Sequence, residues 1–118
     1  MRSLVQDYET GYSDEYSVSV VDLANTLNEF NKKQNKKIDI LQFDCCLMQM
    51  AEIAWQLRNC ADFLLAPQTE LPGSGTNYTM LYDNLCNGKN TKECAYNIIY
   101  DDTCLGFVIS KIIFAKNE

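Results

Sequence analysis

Histidine is absent from this 118-residue sequence, and its absence limits the chemistry that the chain can perform alone. The common zinc sites that mix cysteine with histidine cannot form within the chain, and no C-x-x-C pair is present to begin an all-cysteine site. A nucleophilic cysteine would likewise have to take its histidine base from outside the chain. The sequence therefore predicts no metal site.

Long apolar runs are also missing. The longest, near Phe63–Ala66 and Phe107–Phe114, are much shorter than the roughly 20 residues that cross a bilayer. The start, Met1 to Asp7, lacks the apolar core of a signal peptide. The sequence predicts no membrane span and leaves the compartment unknown.

Positive charge is in the minority, with 10 Lys and Arg against 16 Asp and Glu, and the net charge is -6. An acidic surface repels phosphate backbones, which argues against a nucleic acid partner, whereas it suits a basic peptide. Hydrophobic residues make up 47% of the chain and charged residues 22%, so we expect one packed domain.

Six cysteines are present: Cys45, Cys46, Cys60, Cys86, Cys94 and Cys104. Their density is modest and their spacing follows no disulfide framework, so a disulfide scaffold is not expected. We interpret the last four as small buried apolar side chains.

Apolar spacing divides the first half of the chain into a βαβ unit. Residues 20–31 are predicted to form a helix that Ser19 caps. Ile38–Asp44 is predicted to be a strand buried on both faces, a helical period begins at Leu47, and Ala61–Ala66 is a second strand. The unit implies a parallel sheet, with Cys46 where the first strand gives way to a helix.

The second half is less regular. A loop over residues 67–78 leaves the carboxyl end of the second strand, the edge where open α/β sheets bind ligands. Helices are predicted over residues 79–87 and 91–101 and a third strand within residues 104–114. The chain is thus read as one domain with three parts: an acidic loop at residues 1–18, a central segment at residues 19–78 and a C-terminal part at residues 79–118.

Cys46 is a candidate nucleophile. The first turn of a helix stabilises a thiolate and can donate backbone N–H groups to an oxyanion. Side chains alternate along a strand, so Asp44 and Cys46 share one side while Cys45 points to the other. The residues alone give a candidate only, because a cysteine at a strand end is more often structural.

The run Phe43-Asp44-Cys45-Cys46-Leu47-Met48, with the segments Ala51–Arg58 and Ala61–Ala66 that follow, resembles the nucleophile segment of clostripain-like cysteine peptidases. The resemblance extends from about Leu23 to Tyr78. It implies an α/β, caspase-like three-layer fold with a mainly parallel sheet, incomplete in this chain. It also implies a Cys–His dyad and cleavage of peptide substrates after Arg or Lys, often with autoprocessing into two chains.

By position, the resemblance makes Cys46 the nucleophile and Asp44 an acid facing the S1 pocket. Cys45 stands where the family commonly has alanine, and Ser74 lies in S1 where relatives often carry an acid. The family's histidine lies in an upstream His-Gly motif, so we expect a preceding segment or a second chain to supply it. We expect this chain to be a truncated or processed piece. The resemblance implies that no cofactor is required, although some relatives are calcium-dependent. It also suggests a bacterial source, and some relatives are exported.

Two further hypotheses stay open. The chain is alternatively a non-catalytic relative that binds peptides or regulates an active partner, because such a protein would keep the same pocket. A redox or metal module built on Cys45 and Cys46 is the third hypothesis, although adjacent cysteines strain a disulfide.

Overall fold

The computed structural model describes residues 18–70 and 76–100 and the backbone of a strand at residues 107–111. The described elements, in chain order, are α1 (Val20–Gln34), β1 (Ile38–Gln42), α2 (Ala51–Leu57), β2 (Ala61–Pro67), α3 (Tyr78–Asn87), α4 (Thr91–Tyr100) and β3 (Phe107–Lys111). Most of the predicted acidic loop at residues 1–18 lies outside the described residues, as does Ser74.

Helix α1 begins and ends at residues suited to those positions. The Ser19 hydroxyl oxygen accepts from the backbone N–H of Asp22 at 3.1 Å, which confirms the predicted cap. The helix continues past residue 31 because Lys32, Lys33 and Gln34 are good helix formers. It ends at Asn35, whose φ of 50° is left-handed and whose N–H bonds back to the last turn.

The predicted βαβ unit is confirmed, but its first strand ends at Gln42 and is half-buried along its length, so the prediction of a strand to Asp44 buried on both faces was wrong. β1 pairs in parallel with β2, with Ile40 opposite Phe63 and Gln42 opposite Leu65. The third strand also forms, within the predicted range, but it runs antiparallel to β2. In the described part of the chain the sheet order is β1-β2-β3, so β2 is central and β1 has one edge without a described partner strand.

Two apolar clusters place helices on both faces of the sheet. Leu64 and Ala66 belong to a cluster with α1 and α2 residues, among them Ala24, Ile53 and Leu57. Phe63 and Leu65 point to the other face, where they pack against Ala95 and Ile98 of α4. The alternation along β2 therefore builds three layers, helices on sheet on helices, as predicted.

No helix among the described residues is long and apolar enough to cross a membrane.

Candidate active site

The segment after β1 is held against the segment after β2 by backbone hydrogen bonds. Phe43 N–H donates to the Leu65 carbonyl at 2.9 Å, Leu47 N–H to that of Thr69 at 3.2 Å, and Gln49 N–H to that of Pro67 at 3.1 Å. These bonds extend the β1–β2 pairing past the end of β1. They fix Cys46 at the carboxyl edge of the sheet, where the sequence placed it.

The helix predicted from Leu47 begins at Ala51 instead. Leu47 has a φ of 57°, in the left-handed region that leucine rarely adopts, and this conformation cannot continue a right-handed helix. Cys46 therefore lies in a turn before α2 and not directly at the start of the helix, so the predicted helix start at Leu47 was wrong. Left-handed backbone at a non-glycine residue stores strain, and such residues cluster at functional sites.

The two adjacent cysteines have different surroundings. Cys46 is exposed, whereas Cys45 is half-buried and packs against the cluster under α1 and α2. Burial raises the pKa of the Cys45 thiol above its ordinary value, with the charge of Asp44 and the neighbouring Cys46 adding to the increase. This arrangement confirms that they face opposite ways. No disulfide joins the cysteines in the described residues. Cys60 and Cys94 are buried as predicted, Cys86 is exposed, so that prediction was wrong, and Cys104 lies outside the described residues.

Asp44 is exposed on the same edge as Cys46. Its Oδ2 accepts a hydrogen bond from the Tyr78 hydroxyl at 2.8 Å and one from the Thr76 N–H at 3.5 Å. Thr76 is buried, and its hydroxyl oxygen accepts from Gln42 Nε2 at 3.5 Å. The carboxylate thus connects the end of β1 to the start of α3.

Asp44 and Cys46 are both exposed after the end of β1, and Tyr78, which sequence reasoning missed, bonds to Asp44. The only sequence signal for Tyr78 was its position at the end of the loop that leaves β2. Ser74, the other predicted S1 residue, lies outside the described residues. Within the part of the chain that the structure describes, no three His, Cys, Asp or Glu residues gather as metal ligands.

Comparisons with known proteins agree with one another. A profile of the clostripain family, peptidase C11, matches residues 2–103. The clostripain of Hathewaya histolytica is 33% identical over 78 residues, which cover 62% of this chain and 14% of that protein. The chain therefore spans about a seventh of the length of this curated relative.

Solved structures show the same fold. A Bacteroides thetaiotaomicron clostripain superposes with a TM-score of 0.53 and 24% identity, over 64% of this chain and 32% of that one. A cysteine protease of B. fragilis superposes with a TM-score of 0.60 and 24% identity, and the match covers 86% of this chain and 46% of that one. A secreted C11 cysteine protease of B. thetaiotaomicron superposes with a TM-score of 0.62 and 17% identity, and the match covers 85% of this chain and 29% of that one. The fold of this chain is accordingly α/β and caspase-like.

Proposed function

Because this chain belongs to the clostripain family of cysteine peptidases, we propose that it is the nucleophile-bearing segment of an endopeptidase that cleaves after Arg or Lys. Cys46 is the nucleophile and Asp44 recognises the basic side chain. The histidine of the dyad comes from a preceding segment or a second chain, since this sequence contains none.

One observation carries the proposal: Asp44 and Cys46 are both exposed at the carboxyl edge of the sheet, while Cys45 between them packs against the core. A substrate at this edge can contact the thiol and the carboxylate together. An Arg or Lys side chain next to the scissile bond would pair with Asp44. The B. thetaiotaomicron clostripain was solved with the peptide inhibitor BTN-VLTK-AOMK, whose peptide part ends in lysine, and this supports a basic preference.

The chemistry is acyl transfer. Histidine accepts the thiol proton, the Cys46 sulfur attacks the scissile carbonyl carbon, and the amine product leaves with a proton returned by histidine. The acyl group remains on sulfur as a thioester. Water then attacks that carbonyl, releases the carboxylic acid product and restores the thiol.

The test is to label the natural-length protein with a thiol-reactive peptide probe that carries Arg or Lys, and to map the modified cysteine. We expect labelling at Cys46 that free basic peptide blocks. Cys46→Ala should abolish both labelling and hydrolysis, whereas Cys45→Ala, the matched control, should retain them within about twofold because alanine is also small.

A different result would change the assignment in a defined way. If Cys45→Ala abolishes hydrolysis and Cys46→Ala does not, the nucleophile is Cys45. If a folded sample shows no labelling while Cys46 reacts with a small alkylating reagent, the chain is a non-catalytic relative.

A further inference from the structure

We propose that Tyr78 is a positioning residue that holds the Asp44 carboxylate in the orientation needed to bind a basic side chain. The inference rests on the proposed function, since it concerns the residue that would select Arg or Lys. It adds a residue of α3 to a site otherwise made from the end of β1.

The hydrogen bond between the two side chains has an ordinary length. The Tyr78 hydroxyl donates to Asp44 Oδ2 at 2.8 Å, a usual distance for a hydroxyl donor and an oxygen acceptor. The weaker contact from Thr76 N–H reaches the same oxygen, at 3.5 Å. Because both bonds end on Oδ2, an incoming cation can pair with Oδ1 while both remain intact.

Burial does not explain where Tyr78 lies, because the residue is 64% exposed. Its backbone is fixed as the first residue of α3, where the Asn77 side chain accepts from Met80 N–H at 3.2 Å. An exposed aromatic ring gains little from packing, and the hydrogen bond to Asp44 is one interaction that orients this ring. The phenol and the carboxylate therefore restrain each other.

A restrained carboxylate loses less conformational freedom when it binds a cation. Preorganisation of this kind strengthens substrate binding, and it leaves the chemical step unchanged when the group does not touch the reacting bond. Removal of the hydroxyl should therefore raise KM for basic substrates and leave kcat nearly unchanged.

The experiment compares Tyr78→Phe with Tyr82→Phe in the natural-length protein. Both changes remove one hydroxyl from an exposed tyrosine of α3, but the Tyr82 hydroxyl interacts with Cys86. For a peptide substrate with Arg before the scissile bond, Tyr78→Phe should raise KM about fivefold, the size of one partly exposed charged hydrogen bond. kcat should stay within twofold, and Tyr82→Phe should match the wild type in both constants.

A second measurement separates positioning from general damage. The inhibition constant of an Arg-ending peptide should rise with Tyr78→Phe, whereas that of the same peptide ending in citrulline, its uncharged isostere, should not. Equal weakening of both peptides, an unchanged or lower KM, or a fall confined to kcat would overturn the inference. If the wild type cleaves no basic substrate, the proposed function itself fails; if it does and Tyr78→Phe behaves as wild type, only the role of Tyr78 is lost.

Discussion

At the residue scale, the two neighbouring thiols differ in their surroundings, although both lie in the bend and turn that follow β1. Cys46 is exposed, and Cys45 packs against the core below α1 and α2. The raised pKa of Cys45 means that a smaller fraction of it is thiolate at a given pH. Since the thiolate is the reactive form, burial and protonation both slow its reactions.

Alkylation with iodoacetamide should therefore distinguish the two cysteines. Near pH 7.5 we expect modification of Cys46 well before Cys45, and modification of Cys45 to accelerate only as the pH passes the ordinary thiol value of 9.0. Peptide mapping by mass spectrometry over a pH series measures both rates. In denaturant the two rates should converge, and a Cys45 that reacts first in the folded protein would contradict the assignment.

The sequence predicts a residue's position correctly where that position depends only on the helix or strand to which the residue belongs. The Ser19 cap follows from local helix geometry. The different surroundings of Cys45 and Cys46 were predicted from strand alternation, whereas both residues lie in the bend and turn after β1. The bond between Asp44 and Tyr78 could not be predicted, because it joins residues 34 apart in sequence. Their meeting depends on how α3 starts after the loop, and apolar spacing does not report that.

At the element scale, the end of α1 depends on a single left-handed residue. Asn35 has a φ of 50°, and its N–H and that of Lys36 bond to the carbonyls of Lys32 and Asn31 at 3.2 Å. Asparagine and glycine tolerate this conformation, whereas a residue with an ordinary Cβ pays about 1 kcal/mol.

We therefore expect Asn35→Ala to destabilise the protein by about 1 kcal/mol and Asn35→Gly to change its stability by only a few tenths. Asn25→Ala is the matched control, because Asn25 is exposed within α1, where alanine is the better helix former and should stabilise slightly. Urea unfolding of the three variants and the wild type measures the differences. If alanine at positions 25 and 35 changed the free energy of unfolding equally, the left-handed conformation of Asn35 would not be the cause of the destabilisation.

Element boundaries show where sequence reasoning failed and why. The apolar period that begins at Leu47 resembles a helix, but backbone bonds to Thr69 and Pro67 hold Leu47 and Gln49 outside any helix, and Leu47 adopts a left-handed φ. Periodicity registers side-chain character and not backbone pairing. The direction of β3 could not be predicted from the sequence either, because apolar spacing does not report how a strand pairs with its neighbour.

At the scale of the whole molecule, the outer edge of β1 has no described partner strand, and Phe30 lies beside it with 50% of its surface exposed. Phe30, Ile38 and Ile40 line one shallow groove beside β1 together with the polar residues Gln34, Lys36, Lys37 and Asp39. Unpaired strand edges with apolar neighbours favour association. The 118-residue chain alone should therefore self-associate as its concentration rises.

Substitution of Phe30 should test this account of the association. Phe30→Ser removes apolar surface beside the β1 edge and should shift self-association to concentrations several-fold higher. Trp55→Ser is the matched control, since Trp55 is 49% exposed but does not line the groove; it should leave the association curve in place. Sedimentation velocity over a concentration series measures both. If Trp55→Ser dissolves the assemblies and Phe30→Ser does not, association occurs through the α2 face, and the β1 edge is not the surface that a neighbouring strand would cover.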